Sequence, residues 1–399
     1  MKRPYPPTLA TGWTGNPPLV LELLRYAATA SSSDATYRIA FRRLAEVDER
    51  QFQWVLKAGL GPLLYSATDE VDQVPAARRD ILRSADLTAQ VRHGNFVDAA
   101  NEIIDACRDI GVRVTLLKGI STSDQYYPAP HLRPMGDIDI LVCAEAQESV
   151  ESEIVRRGFT RVPDDEADGD SYHGVPLFHP HRGVWVEVHN ALFPRQDSLR
   201  RNSVFSPPHL DDHSLASTFQ GRPVHRFSAE LQLLYIASFW IRDLSRQGIY
   251  ASYLPPLFDA VYLLKNLGRP LDWEGLLGSL NNDMAMASLY IMLVHLSRCG
   301  LHEFPLTVMT HLGENQEMVG DLELNIIHFM LSNYLIQGRP FTRLFQSWHV
   351  LDNLLTPGSA GAKLLLLPWN IVFPPRVKDR YSLRYQLERV HRLVRGQRS

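Results

Sequence analysis

Two acids one residue apart, Asp137 and Asp139 in "GDIDILV", are the first candidates for chemistry in this chain. In an extended strand, side chains two apart share a face, so both carboxylates point one way while Ile138 and Ile140 point the other. Neighbouring carboxylates repel unless a cation compensates, and that repulsion is the physical case for a metal. Mg²⁺ takes oxygen ligands, commonly one or two carboxylates together with phosphates and water, and Mn²⁺ accepts the same donors. An isolated D-x-D spacing also fits a turn leading into an ordinary strand, so the pair needs support.

Glu187, in "GVWVEVHNALF", supplies it. Alternation puts Trp185, Glu187 and His189 on one face and Val184, Val186 and Val188 on the other. An acid in so apolar a strand is costly if buried alone. Convergence with Asp137 and Asp139 around a metal removes that objection; a half-exposed strand would instead leave Glu187 in water or on an arginine. His189 reads as a contact to ribose or phosphate, as a hydrogen-bond partner behind the acids, or as a surface histidine.

The segment from Lys118 to Asp137 adds groups for phosphate. Gly119 directly follows an apolar strand, where a missing Cβ permits close approach of a phosphate. Ser121, Thr122 and Ser123 offer hydroxyls, and backbone amides in such a turn form an anion nest. Lys118 and Arg133 can neutralise triphosphate charge, although Arg133 could equally anchor the loop against Asp137. The GxxxxGK[ST] order of a Walker A loop is absent.

Around these residues the hydrophobic pattern changes twice. From 19 to 110 apolar residues mostly recur at helical spacing, as in "LVLELLRYAA", "YRIAFRRLAEV", "FQWVLKAGLGPLLYSA" and "VRHGNFVDAANEIIDACRDI". Short β-branched runs then take over: "VRVTLLKG", "DIDILV", "GFTRV", "GVPLFHP" and "GVWVEVH". A helical pattern, "AEAQESVESEIVRRG", lies between the second and third. Helical periodicity returns over roughly 228–247, 252–267, 284–299, 320–336 and 358–370. The expectation is an α+β protein with a small mixed-sheet core at 111–205, a helical N-terminal region at 1–110 and a helical C-terminal region at 206–399. The polar loop 164–171 interrupts the core. Residues 376–399 form a basic tail, net +6, which reads as a contact for RNA or phosphate or as the solvated face of a terminal helix.

Composition narrows the class. A chain of 399 residues, 45% apolar and 21% charged, can bury a real core. Its net charge of -3 gives no global attraction to a polyanion. Three cysteines, Cys107, Cys143 and Cys299, make neither a disulfide framework nor a thiolate metal cluster. No apolar run follows the basic start, and the most apolar stretches are too short to span a bilayer, so a cytoplasmic setting without a membrane span is expected.

"LLKGISTSDQYYPAPHLRPMGDIDILV" followed by "WVEVHNAL" resembles the bacterial family of uncharacterised nucleotidyltransferases related to DNA polymerase beta. That family has a lysine-glycine turn, a "lYp…lRpmsDiDlLV" segment and a later "iDlHw" strand. The matching residues here are Lys118, Gly119, Arg133, Asp137, Asp139, Glu187 and His189. Further on, "FDAVYLLKNLGRPLDWEGLL" resembles the family's "l.Dl…dWe.ll" segment through Asp259, Asp272, Trp273 and Glu274, and "IVFPPRVKDRY" resembles its closing segment. Two departures stand out. The wider superfamily has an adjacent Gly-Ser where this chain has Gly119-Ile120-Ser121, and Glu187 replaces the more usual aspartate.

The resemblance implies Mg²⁺-dependent (or Mn²⁺-dependent) transfer of NMP from an NTP, with ATP among the donors, to an acceptor hydroxyl. Asp137, Asp139 and Glu187 would be catalytic and hold the metal; Lys118, Gly119, Ser121, Arg133 and His189 would hold the nucleotide. The acceptor is a small molecule, a peptide or protein, or an RNA end. The competing reading is a nucleotide-binding regulatory or antitoxin-like module without turnover, for which a broken acid set would be the mark. A metal-dependent phosphohydrolase would call for further His/Asp clusters, and His179 and His181 do not have an established metal spacing.

Overall fold

The computed structural model describes residues 16–29, 44, 46–68, 75–162, 172–200, 204–341 and 347–356, with isolated positions beyond. The expected helix at 37–47, most of that at 358–370, the loop 164–171 and the basic tail lie outside or largely outside the described residues. In chain order the first elements are helices α1 (Leu19–Thr29), α2 (Glu49–Lys57), α3 (Gly61–Thr68) and α4 (Ala76–Asp109). Strand β1 (Thr115–Leu116), helix α5 (Lys118–Tyr126), strand β2 (Asp137–Leu141) and helix α6 (Gln147–Arg156) follow. Next come strands β3 (Thr160–Arg161), β4 (Leu177–His179) and β5 (Val184–His189), helix α7 (Pro207–Asp212), and strands β6 (Ser214–Phe219) and β7 (Arg222–Phe227). Helices α8 (Ala229–Gln247), α9 (Pro255–Asn266), α10 (Trp273–Ser279), α11 (Asp283–Arg298), α12 (Leu306–Asn315) and α13 (Asp321–Met330) come next. A π-helical stretch, Leu331–Ile336, and α14 (Ser347–Leu354) follow.

The fold is α+β, with helical regions on both sides of the sheet-forming segment. The chain divides into two compact units. One comprises residues 19–236 and 255–282 and contains the sheet; the other comprises 237–254 and 283–399 with the first 18 residues. Among the described residues the second unit is helical. Its α11 is buried from Met284 to Leu296 on every face, as a central helix must be.

The sheet is mixed and seven-stranded, ordered β3-β4-β5-β2-β1-β7-β6. The β2–β5 and β1–β7 pairs are parallel and the others antiparallel. One face carries Ile138, Ile140, Val184, Val186 and Val188, packed with Ile103, Ile104 and Cys107 of α4 and Val150 and Ile154 of α6. Covering that face with helices commits the alternate residues of β2 and β5 to the opposite side.

All five expected strand runs form strands. The expected core stops at 205, however, and the sheet does not: β6 and β7 form a hairpin joined to β1. Its two-residue turn, Gln220-Gly221, has φ of +48° and +77°, the left-handed geometry that two-residue hairpins require. The segment expected as one helix over 52–67 is two helices, α2 and α3. Among the described residues no helix is long and apolar enough to cross a membrane.

Candidate active site

The parallel β2–β5 register sets Asp139 directly opposite Glu187, Asp137 opposite Trp185 and Leu141 opposite His189. The sequence-derived acids thus share one face of two adjacent strands. Asp139 and His189 are buried and Glu187 is half-buried. His189 Nε2 donates to Asp139 Oδ1 at 2.8 Å and lies 3.3 Å from Glu187 Oε2. Lys118 Nζ donates to the same Asp139 oxygen at 3.0 Å. Potential ligand atoms of Asp139, Glu187 and His189 all fall within 4.8 Å of one another.

The charges are unevenly matched. Burial pushes the Asp139 carboxyl up, but Lys118 and the His189 hydrogen bond outweigh it and hold the group well below the usual range. Burial also raises Glu187, and the His189 contact draws it down overall. His189 shows the mirror image: burial lowers it, the bonds to Asp139 and Glu187 prevail, and it is raised. Burial likewise opposes the charged form of Lys118, but the Asp139 charge prevails and raises it. Asp137 is the exception, pushed up to about 7, first by the Asp139 charge and then by burial. Among the described residues no cation bonds to it. Among the described residues, Lys118 and His189 are the basic groups bonded among these three carboxylates, and the donor set suits one further positive ion with oxygen preference. Asp139, Glu187 and His189 converge closely enough to fit a divalent metal, and Asp137 stands beside them on the same face of β2.

Lys118 opens α5 with φ +38°, a left-handed conformation that costs a non-glycine residue about 1–3 kcal/mol. Its Nζ reaches Asp139 from there. The expected turn at Lys118-Gly119 is therefore a helix start, with Leu117 as N-cap and no side chain capping the first amides. Such an end attracts anions.

Gly119 also has a packing role inside the fold. A Cβ there would lie 2.5 Å from Arg133 Nη1 and 3.1 Å from Met135 Cγ, so the missing atom makes room for Arg133. Arg133 bonds neither to Asp137 nor outward. Its Nε and Nη2 donate to Asp259 Oδ1 and Oδ2 at 2.9 and 2.8 Å, and Tyr127 Oη donates to Asp259 Oδ1 at 2.8 Å. Burial opposes the guanidinium charge, but Asp259 raises Arg133 overall. Ser121, expected to face phosphate, is fully buried, and its Oγ accepts from Gln125 Nε2 at 3.0 Å. Thr122 and Ser123 are buried as well.

The sequence reading missed the Asp259 partnership, because 126 residues separate the two side chains. Its one signal was that Asp259 stands at an acidic position of the family-like α9 segment.

Residues 46–299 match the model of the family described as "Uncharacterised nucleotidyltransferase", and the chain belongs to that family. No curated protein sequence matches it. Two solved structures are similar over part of the chain. The solution structure of the antibiotic-resistance factor ANT(2'')-Ia has 13% identity and a TM-score of 0.31, covering 43% of this chain and 84% of that one. The crystal structure of ANT(2'')-Ia with adenylyl-2''-tobramycin has 13% identity and a TM-score of 0.28, covering 51% of this chain and 95% of that one. At this depth neither bears on what the present chain acts upon.

Proposed function

We propose that this protein transfers a nucleoside monophosphate from an NTP to an acceptor hydroxyl in a divalent-metal-dependent reaction. The observation that carries the reading is the Asp139–Glu187 register pair with Asp137 on the same face, three carboxylates whose mutual repulsion two cations do not cancel. Asp137, Asp139 and Glu187 would hold Mg²⁺ or Mn²⁺. When bound, such an ion stabilises charge on the phosphate oxygens undergoing displacement.

The chain's own groups account for the rest. The amides opening α5 and the Lys118 ammonium would grip the outer phosphates. His189 would keep Asp139 and Glu187 ionised and oriented. The acceptor oxygen would bond to the α-phosphorus as the bond to the bridging oxygen breaks. The hydroxyl proton would pass to the Glu187 carboxylate, and pyrophosphate would leave. Arg133 and Asp259 would act beneath the site by fixing the backbone between α5 and β2.

The test is incubation of the purified protein with each α-labelled NTP, Mg²⁺ or Mn²⁺, and a lysate fractionated into small molecules, RNA and protein. Label should move into one fraction with wild type and not with D137A/D139A. Nucleotide binding with no transfer in any fraction would replace this reading with that of a non-catalytic nucleotide-binding module.

A further inference from the structure

Trp185 has no task in the reaction as described, yet it is 40% exposed near the start of β5. Its register partner on β2 is Asp137 and its partner on β4 is Phe178. The Phe178 and Trp185 ring centroids are 4.8 Å apart, with the planes tilted by 44°. On the other flank, β1 runs antiparallel to β2 with Leu116 opposite Ile140, which brings Lys118 to the Asp137 end of the sheet. Across that end the order is Phe178, Trp185, Asp137, Lys118. Aromatic rings thus lie on one side of the carboxylates and the ammonium on the other.

A single exposed apolar side chain needs no explanation. Two rings in contact, continuous with the acids of a candidate active site, form a surface on which another ring can stack. In-line displacement puts the attacking oxygen and the leaving group on opposite sides of the phosphorus. With the outer phosphates on Lys118 and the start of α5, pyrophosphate leaves on the β1 side. The hydroxyl then enters from the β5 side, over Trp185. The shelf is bordered by Asp137 and Glu187, which disfavours a phosphodiester strand.

We propose that Trp185 and Phe178 form the acceptor subsite, and that the acceptor is a small molecule carrying its hydroxyl on or beside a ring with an apolar face. This rests on the nucleotidyl-transfer reading, in which the acceptor O–H supplies the new oxygen–phosphorus bond and pyrophosphate departs.

The experiment is saturation-transfer NMR on the full chain with Mg²⁺ and a non-hydrolysable ATP analogue. Phenyl β-D-glucoside serves as the ring probe and sorbitol as the acyclic control. Wild type should bind the glycoside and not sorbitol. W185A should weaken glycoside binding at least about fivefold, the low end of one ring's stacking contribution, and W185F should restore most of it. Affinity for the ATP analogue should stay within about twofold in both variants, because stacking on Trp185 is assigned to the acceptor alone. Absent glycoside binding, or binding indifferent to W185A, overturns the proposal. Loss of ATP-analogue affinity in W185A assigns the rings to the donor base, and an RNA oligonucleotide that depends on Trp185 in place of the glycoside refutes the acceptor class. Because the readout is binding, intact glycoside binding without label transfer would sink the transfer reading and leave the subsite standing.

Discussion

Two charged clusters share the stretch of chain at residues 118–139, one completed by Asp259 of α9 and the other by Glu187 and His189 of β5, and they differ in how their charges balance. In the Arg133–Asp259 cluster one guanidinium meets one carboxylate through two parallel hydrogen bonds, and Tyr127 adds a third donor to Asp259. At Asp137, Asp139 and Glu187, three carboxylates face Lys118 and His189, and Asp137 is held up to about 7 by the surplus. The balanced cluster is a structural clamp. The unbalanced one retains a demand for positive charge, which folding alone would have no reason to keep. Residue type does not separate the two, since both contain acids and a base; closure of the charge balance does.

The contrast breaks most sharply at Asp139. D139N should reduce label transfer by on the order of a thousandfold, since metal and Lys118 positioning both depend on that carboxylate. Retained transfer would move the chemistry elsewhere. For the clamp, R133A should cost about 3 kcal/mol in urea denaturation, because the buried Asp259 carboxylate loses its counter-charge and keeps only the Tyr127 hydrogen bond. Replacing both partners with apolar residues should recover part of that loss. An R133A protein of normal stability with poor nucleotide affinity would instead return Arg133 to the phosphates. G119A should cost about 1–3 kcal/mol, the usual penalty for forcing extra volume into a packed site, because Arg133 Nη1 must move.

One effect should run the other way. In the folded, metal-free protein Asp137 holds its proton to about pH 7, whereas in the unfolded chain it releases it near about pH 4. Its contribution to stability is therefore present at low pH and lost as pH rises towards 7. D137N never carries the charge. In EDTA its Tm should match wild type at acidic pH, gain on it between about pH 4 and 7, and stay higher by roughly 5 °C above that. A Tm difference independent of pH would mean that Asp137 and Asp139 do not repel.

Much of this was legible in the sequence. The alternation of "DIDIL" and "VWVEVH" located both site strands and the face of each acid, because a period of two leaves no other choice once the valines and isoleucines are buried. The partners of the cations were not legible. Arg133 stood as close in sequence to Asp137 as any clamp residue, and only tertiary folding brought α9 and Asp259 to it. The hydroxyls of Ser121 to Ser123 read as exposed because the segment read as a turn; as helix α5 it turns them into the protein. The β6–β7 hairpin was obscured by its own exposure: Leu215 lies outward, Pro223 interrupts the second strand, and the turn uses Gln220 where Asn or Asp is the stronger signal.

The most direct measurement is Mn²⁺ binding followed by electron paramagnetic resonance, at pH 8 with a non-hydrolysable NTP, for wild type, D137N, E187Q and E187D. Wild type should take up Mn²⁺, and D137N and E187Q should each bind at least about tenfold more weakly, the lower range for losing a group at a metal site. E187D, which keeps the charge on a shorter arm, should fall between. Equal Mn²⁺ affinity in wild type, D137N and E187Q would contradict the claim that this carboxylate face is a metal site.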